Sequence, residues 1–290
     1  MQAFQGPEWV APSMLRQDRL AEDSVPMSAA PQANGRRSTV AGRRTAPAAA
    51  VSPRTVNIFE EAPDLLDDLG IRHEELTHVR VPRLVIQTGS WHPPVPKDGP
   101  RAHFGLLLLE GLVIRRLTLN GRTGAELLGA GDLLQPWISQ PPYDVLAAEP
   151  GWEVLERARL AVLDARFAAQ VAAWPAVAAA LVGRAIERAR TLAYHHVASH
   201  IPGLSGRLLA LLWALADRWG RVTPDGVLVP LGLTHATIAE LAGASRPSVS
   251  TALAQLAREG TVRRAPSGWL LQAQSGELLQ PGAEGASHAS

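Results

Sequence analysis

The sequence contains no cysteine, which excludes disulfides, thiolate-held iron–sulfur clusters, cysteine-containing zinc sites and redox sensing through thiols. No apolar stretch approaches the ~20 residues of a membrane span, so no membrane partner is expected. The N-terminal run MQAFQGPEWVAPSMLRQDRL has no compact apolar segment of the secretory kind, and a cytoplasmic location is expected. Lysine is nearly missing too: Lys97 stands alone among 28 basic residues, a bias of composition that carries no chemistry by itself.

What is present is ordinary for a soluble globular chain, with 46% apolar and 19% charged residues over 290 positions. That length has room for two domains and a tail. The net charge of +1 is unevenly divided: residues 1–57 carry +3, 58–200 carry −3 and 201–272 carry +3. A weakly acidic centre between basic ends fits a nucleic-acid contact at one end.

Residues 1–57 mix Pro, Ala, Ser, Gly and Arg without sustained periodicity, and a disordered tail is expected there. The pairs Arg36/Arg37 and Arg43/Arg44 read as a solvated basic segment. A short helical segment is expected over 58–70, with Leu65, Leu66 and Leu69 on one face. After it come short apolar or alternating runs: Val79 to Ile86, 104–109, 112–119, 126–128, 145–147, 153–155 and 160–163. Turn signals separate them, the strongest being Asn120-Gly121, because a two-residue type I′ hairpin needs positive φ at both central residues. This pattern predicts a small barrel or jelly roll over 58–173.

The period changes at Trp174-Pro175. Val182, Ile186, Ala189, Ala193 and His196 recur at alternating spacings of four and three, the signature of a helical seam. A helix over 174–200 is therefore expected to cover the barrel on one side and meet a second copy of itself on the other, with Val182, Ile186, Ala189 and Ala193 at the dimer interface. Pro202-Gly203 ends it, a second amphipathic helix follows over 204–219, and 220–231 reads as a turn and a strand. Residues 273–290 are expected to form a flexible tail.

The most informative stretch is LTHATIAELAGASRPSVSTALAQLAREGTVRRAPSGWLL, residues 233–271. Thr234 caps a first helix whose Ile238 and Leu241 face inward, while Ala239 is small where a second helix crosses. Gly243 permits the sharp turn, Ser245 caps the second helix, and Pro247 sits in its first turn, where a missing N–H costs little. Val249, Ala252, Leu253 and Leu256 form a buried stripe, leaving Arg246, Ser248, Ser250, Thr251 and Gln255 outward. A hairpin bearing Arg263 and Arg264 closes the unit. Two capped helices and a basic hairpin form a winged helix-turn-helix over 201–272, whose second helix enters the major groove of double-stranded DNA. Arg246, at its N-terminus, is placed to donate two hydrogen bonds to guanine O6 and N7.

On these residues the sequence resembles the Crp/Fnr family of bacterial transcription regulators, strongly over 233–271 and more weakly over the barrel, in GLLLLEGLVIRRL and LLGAGDLL. The order of parts is similar too: barrel, long helix, the helix beginning IPGLSGRLLALLWALA, winged helix. The resemblance implies an α+β fold with a cyclic-nucleotide-binding-type β-barrel, a long dimerisation helix and a C-terminal winged helix-turn-helix. It implies a homodimer and RNA polymerase as a further partner. By position it makes Arg246 a base-reading residue, with Ser250 and Thr251 beside it, and makes Thr234, Ser245 and Ser248 contacts to phosphate, to which the wing arginines Arg263 and Arg264 are added. Pro247 and Thr251 depart from the family's best-known members, which carry an acidic and a basic residue there.

Family members that bind cyclic nucleotides hold the phosphate with Gly-Glu and Arg-Ser or Arg-Thr after the Gly-Asp turn. Here Gly131-Asp132 is followed by Gln135-Pro136, and no Arg or Lys occurs from Thr123 to Glu156. A buried phosphate needs cationic or backbone donors, so cyclic AMP is not expected as ligand, no cofactor is expected, and any small-molecule effector is left unidentified. Metal or haem ligation at His195, His196 and His200 stands against seam or surface imidazoles without a ligand; the second reading is adopted, since no carboxylate or further ligand has the right spacing. Trp91, Trp137 and Trp152 line a pocket or simply fill the core. Two rivals remain, a cupin-like metal-dependent enzyme, whose nearest ligands are His103 and Glu110, and an interaction module whose winged helix never meets DNA. No nucleophile elbow, phosphate-cradling loop or paired-carboxylate signature favours an enzyme.

Overall fold

The computed structural model describes residues 51–65, 76–94, 103–137 and 148–272. A seven-stranded antiparallel sheet runs in the order β1 (Val51–Asn57), β2 (Arg80–Ile86), β7 (Ala148–Leu163), β4 (Gly105–Leu119), β5 (Arg122–Leu128), with β3 (Gly89–Ser90) on β7 and β6 (Leu133–Leu134) on β4. β1 falls inside the stretch expected to be a structureless tail, so that expectation fails over Val51–Asn57. The reason is local: β1 pairs with β2, and Asn57 at its end caps α1 (Ile58–Glu61), accepting from the Phe59 N–H at 2.9 Å, which leaves Ile58 and Phe59 fully buried. The helix expected over 58–70 is shorter, because Pro63 opens a separate 3-10 turn, Pro63–Leu65. Leu66 and Leu69 lie outside the described residues, as do the run 145–147 and His73.

The runs at 104–109 and 112–119 are one strand, and those at 153–155 and 160–163 are another. β4 and β7 stay paired from Gly105↔Leu163 to Leu119↔Ala148, with register shifts between Leu108 and Val113. Gly111 makes this continuity possible. At φ 96° its missing Cβ would stand 2.3 Å from the Arg157 carbonyl oxygen. An irregularity of this kind changes which parity of residues faces a given side. Before it, Leu106 and Leu108 belong to the core against Leu84 and Val154; after it Val113 does, while Leu112 and Ile114 turn toward the C-terminal half. The hairpin from β4 to β5 is as expected, with φ 49° at Asn120 and 72° at Gly121.

α2 (Ala165–Gln170), capped by the Asp164 carboxylate, leads into α3 (Pro175–Ala198), with Pro at its first position. Then come α4 (Leu204–Trp219), β8 (Arg221–Thr223), β9 (Gly226–Val229), α5 (His235–Leu241), α6 (Arg246–Arg258), β10 (Val262–Ala265) and β11 (Gly268–Leu271). The expected turn and strand over 220–231 is a full hairpin, which extends the wing to a four-stranded sheet ordered β10-β11-β9-β8.

One apolar cluster is shared by the two halves: Leu112, Ile114 and Leu127 of the large sheet pack in the same core as Leu208, Leu212 and Leu253 of the winged helix. Each such buried leucine is worth about 1.5–3 kcal/mol. Gly129 lies so close beneath the Trp219 ring that a Cβ would approach it to 2.9 Å.

Candidate nucleic-acid interface

α5 and α6 begin on side-chain caps. Thr234 Oγ1 accepts from the Thr237 N–H at 3.1 Å, and Ser245 Oγ accepts from the Ser248 N–H at 3.3 Å. Each satisfies a donor that the helix itself leaves open. Between them Gly243 adopts φ 60°, where the Ala244 N–H reaches back to Ala239 O at 2.9 Å and closes the turn. Val249, Ala252, Leu253 and Leu256 are buried, and so are Ile238 and Ala239; Leu241 is half-buried.

The opposite face of α6 is open. Arg246, Pro247, Ser248, Thr251 and Gln255 are exposed. Arg246 has no hydrogen-bond or ion-pair partner among the described residues, so its guanidinium is available to a ligand. Thr251 Oγ1 donates to the Pro247 carbonyl at 3.2 Å and Gln255 donates to Glu259 at 2.9 Å. Ser250 is not outward, contrary to the sequence-based expectation. It is half-buried, with Oγ 2.9 Å from His235 Nδ1, because α5 crosses at that turn of α6. His235 also lies tilted against the Trp269 ring at 5.7 Å. In the sequence His235 carries no signal beyond its place directly after the Thr234 cap.

The two wing arginines are not equivalent. Neighbouring residues on a strand leave opposite faces. Arg263 makes a loose, exposed contact with Asp225 at 3.4 Å. Arg264 is exposed too but tied back, its Nη1 donating to Leu233 O at 3.0 Å and its guanidinium over Trp269 at 4.8 Å.

Charges on the large sheet are arranged differently. Arg188 of α3 meets Glu126 of β5 with two hydrogen bonds, at 2.6 and 2.7 Å, and donates a third to Leu133 O. Burial alone would lower the Arg188 pKa, but the Glu126 carboxylate outweighs it and the net shift is upward. Asp132, buried in the turn before β6, accepts from the Gly129 N–H and from Arg218 of α4, at 2.8 and 2.7 Å. Arg116 bridges Glu153 and Glu240 of α5, at 2.6 and 2.8 Å. None of these pairs has a signal in local spacing, since their members lie 37 to 124 positions apart.

Two clefts flank α3. One, of about 840 Å³, opens between α3, α4 and the Gly129–Asp132 turn, where His195 is half-buried; burial pushes its imidazole below the usual range, against the upward pull of Glu126. The other, of about 540 Å³, lies between α3 and the sheet, lined by Phe104, Leu133, Gln135, Leu181 and Ala185. The cations beside it, Arg115 and Arg188, both face Glu126. Trp91 is buried and packs edge-on against Trp152 at 5.7 Å, while Trp137 stands 6.0 Å from His103. Glu110 is engaged by Arg159. Among the described residues no three His, Asp or Glu side chains of one chain are grouped to hold a metal ion.

The seam is exposed along α3. Val182 is 54% and Ile186 48% exposed, Ala189 and Ala193 are also open, and only Val177 and Leu181 of the helix are buried hydrophobics.

Residues 206–273 match the Crp-like helix-turn-helix domain. No curated protein matches the sequence. Among solved structures, a cyclic nucleotide-binding domain containing protein from Listeria monocytogenes aligns at 14% identity and a TM-score of 0.55, over 66% of this chain and 89% of its own. A double mutant of CooA from Carboxydothermus hydrogenoformans aligns at 18% and 0.53, over 79% and 96%. FixK2 from Bradyrhizobium japonicum aligns at 14% and 0.50, over 68% and 94%. At such identities the likeness is one of fold.

Proposed function

We propose that this chain, which joins a Crp-like helix-turn-helix domain to a fold of the Crp/Fnr regulators, is a dimeric, sequence-specific DNA-binding transcription regulator and not an enzyme. The observation that carries the reading is the open face of α6: a capped helix presenting Arg246, which has no partner among the described residues, ahead of the small residues Ser248 and Thr251. Small outward side chains let a helix lie in the major groove, and an arginine at its first turn reaches the groove floor. Thr234, Ser245, Ser248 and Arg263 hold phosphate around it, and Arg264 joins them after leaving the Leu233 carbonyl. Thr251 reads beside Arg246, and Ser250 reaches a base edge only by giving up His235.

Two copies meet along Val182, Ile186, Ala189 and Ala193, which puts two reading helices on half-sites about 34 Å apart and gives a pseudo-palindromic operator. The protein works in the cytoplasm, with RNA polymerase as the partner through which binding alters transcription. The barrel does not take cyclic AMP, because the cations nearest its cleft are already committed to Glu126; calorimetry is expected to show no saturable binding at micromolar cyclic AMP.

Gel shifts against genomic fragments test the central reading. A small subset of fragments should shift saturably and share a two-fold symmetric sequence, and light scattering should give about twice the 30.9 kDa chain mass. Equal retardation of every fragment, or none, defeats it.

A further inference from the structure

His196 and His200 lie at the end of α3, and the function above leaves them unused. The seam runs Val182, Ile186, Ala189, Ala193, at spacings of four, three and four. Continuing the alternation gives 196, so His196 occupies the last layer of the face that meets the second copy, and His200 lies beside it in the turn just past the end of the helix. His195 is on the other side of the helix, with Arg188, facing the barrel. One chain thus directs one imidazole inward and sets two at the end of the seam.

Their separation suits a pair of imidazoles on one ion. The rings are 4.9 Å apart, edge to face, and His196 and His200 are both exposed. Two imidazoles on one tetrahedral zinc ion, each with Zn–N of about 2.0–2.1 Å, have centroids about 5 Å apart. Among the described residues neither ring makes a hydrogen bond, so ring nitrogens are available. The site is at the C-terminal end of a 24-residue helix, where the unpaired carbonyls favour a cation.

We propose that His196 and His200 from two copies of this chain form a four-imidazole site for a divalent transition-metal ion, zinc foremost, on the two-fold axis of the dimer. The proposal rests on the reading of α3 as the dimer helix, and it revises the sequence-based expectation of idle imidazoles. One chain supplies two ligands and the second copy doubles them to four, so the four nitrogens that a closed tetrahedral site requires are met without a carboxylate. The site lies just before Pro202-Gly203, where α3 hands over to α4 and the winged helix. An ion there ties the two dimer helices together at the point that sets the separation of the two reading helices, so metal binding strengthens dimer and operator binding together.

The test uses the full chain stripped of metal with a chelator and titrated with Zn²⁺ in a calorimeter, with light scattering run on the same samples with and without the ion. One ion should bind per two chains. His196→Ala and His200→Ala should each weaken binding by at least about tenfold, and His195→Gln should leave it unchanged. Both seam residues are exposed, so their loss does not threaten the fold, and Co²⁺ substituted for zinc should give the absorption of a tetrahedral nitrogen site that both variants lose. A dimer that binds no zinc, or zinc binding that survives His196→Ala at one ion per chain, overturns the site and leaves the dimer standing. A chain that is monomeric with and without zinc overturns both. A chain that dimerises only with zinc, and fails to do so as His196→Ala, upholds the site and overturns the metal-free dimer.

Discussion

The barrel and the winged helix use charge in opposite ways. In the barrel Glu126, Asp132 and Arg116 are met by a counter-charge from α3, α4 or α5 at hydrogen-bond distance. In the winged helix Arg246 has no partner among the described residues, and the remaining outward groups of α6 make only short-range contacts within one helical turn. The first arrangement couples parts of one molecule; the second waits for another molecule. A cleft whose cations Arg115 and Arg188 already face Glu126 is poorly prepared to take an anionic ligand, and a helix whose Arg246 has no partner among the described residues is well prepared to take DNA.

The largest expected break in this contrast is Glu126→Ala. The Glu126 side chain is 11% exposed and that of Arg188 17%, so removing one partner leaves the other buried and uncompensated, which costs about 3–5 kcal/mol. Urea melts of Glu126→Ala should show a loss near the low end of that range, because water reaches part of the pair. The double variant Glu126→Leu with Arg188→Met should recover most of it. If the single variant is within 1 kcal/mol of the parent, the barrel pairs are surface decoration and the contrast is lost.

Arg246→Ala sharpens the other side. It should leave stability unchanged, since the guanidinium is exposed and has no hydrogen-bond or ion-pair partner among the described residues, yet cost about 1–3 kcal/mol of discrimination between operator and scrambled DNA. Arg263→Ala should instead weaken both DNAs alike and flatten the salt dependence. Titrations at two salt concentrations separate the two. Equal losses on both DNAs would make Arg246 a positioning residue.

A smaller effect tests whether the reading face depends on its caps. Thr234→Ala and Ser245→Ala should each cost about 1 kcal/mol in melts. Ser245→Ala should also lower DNA affinity, because it frays the turn of α6 that carries Arg246, whereas Ser245→Gly should cost a few tenths.

The winged helix was legible in sequence because its determinants are local. The Thr234 and Ser245 caps, Gly243 and the 249/252/253/256 stripe all act within one or two turns, and the family of the domain follows from them. The long helix α3 was legible in the same way. What escaped was set by distant parts of the chain. Ser250 is outward by helical period, yet α5 crosses at that turn and His235 takes its hydroxyl. Arg263 and Arg264 read as one basic patch until the strand places them on opposite faces. β4 and β7 looked like four strands because a single glycine, Gly111, bends a ladder without ending it, and sequence marks that position only as an interruption. Residues 51–57 give no strand signal because β1 has no alternation of its own and is formed by pairing with β2.

The smallest expected effect concerns the joint between the two regions. Arg116 of the barrel meets Glu240 of α5 at 2.8 Å, with side chains 25% and 35% exposed. Burial opposes the charge on Arg116, but its bonds to Glu153 and Glu240 prevail and raise its pKa. A pair this open is worth about 0.2–1 kcal/mol, and the shared glutamate Glu153 holds Arg116 in place when Glu240 is removed. A double-mutant cycle of Arg116→Ala with Glu240→Ala should therefore give a coupling at the low end, shrinking further in high salt. Its interest is in where the energy goes. α5 does not read bases, so a loosened α5 should lower affinity for operator and scrambled DNA by the same factor. The apolar cluster joining Ile114 and Leu127 to Leu212 and Leu253 carries most of the joint, and Leu127→Ala should move affinity further than either charge variant. A charge coupling well above 1 kcal/mol would mean that the seam between the regions is as electrostatically committed as the barrel itself, and the winged helix could no longer be regarded as the half of the molecule whose charge is held in reserve.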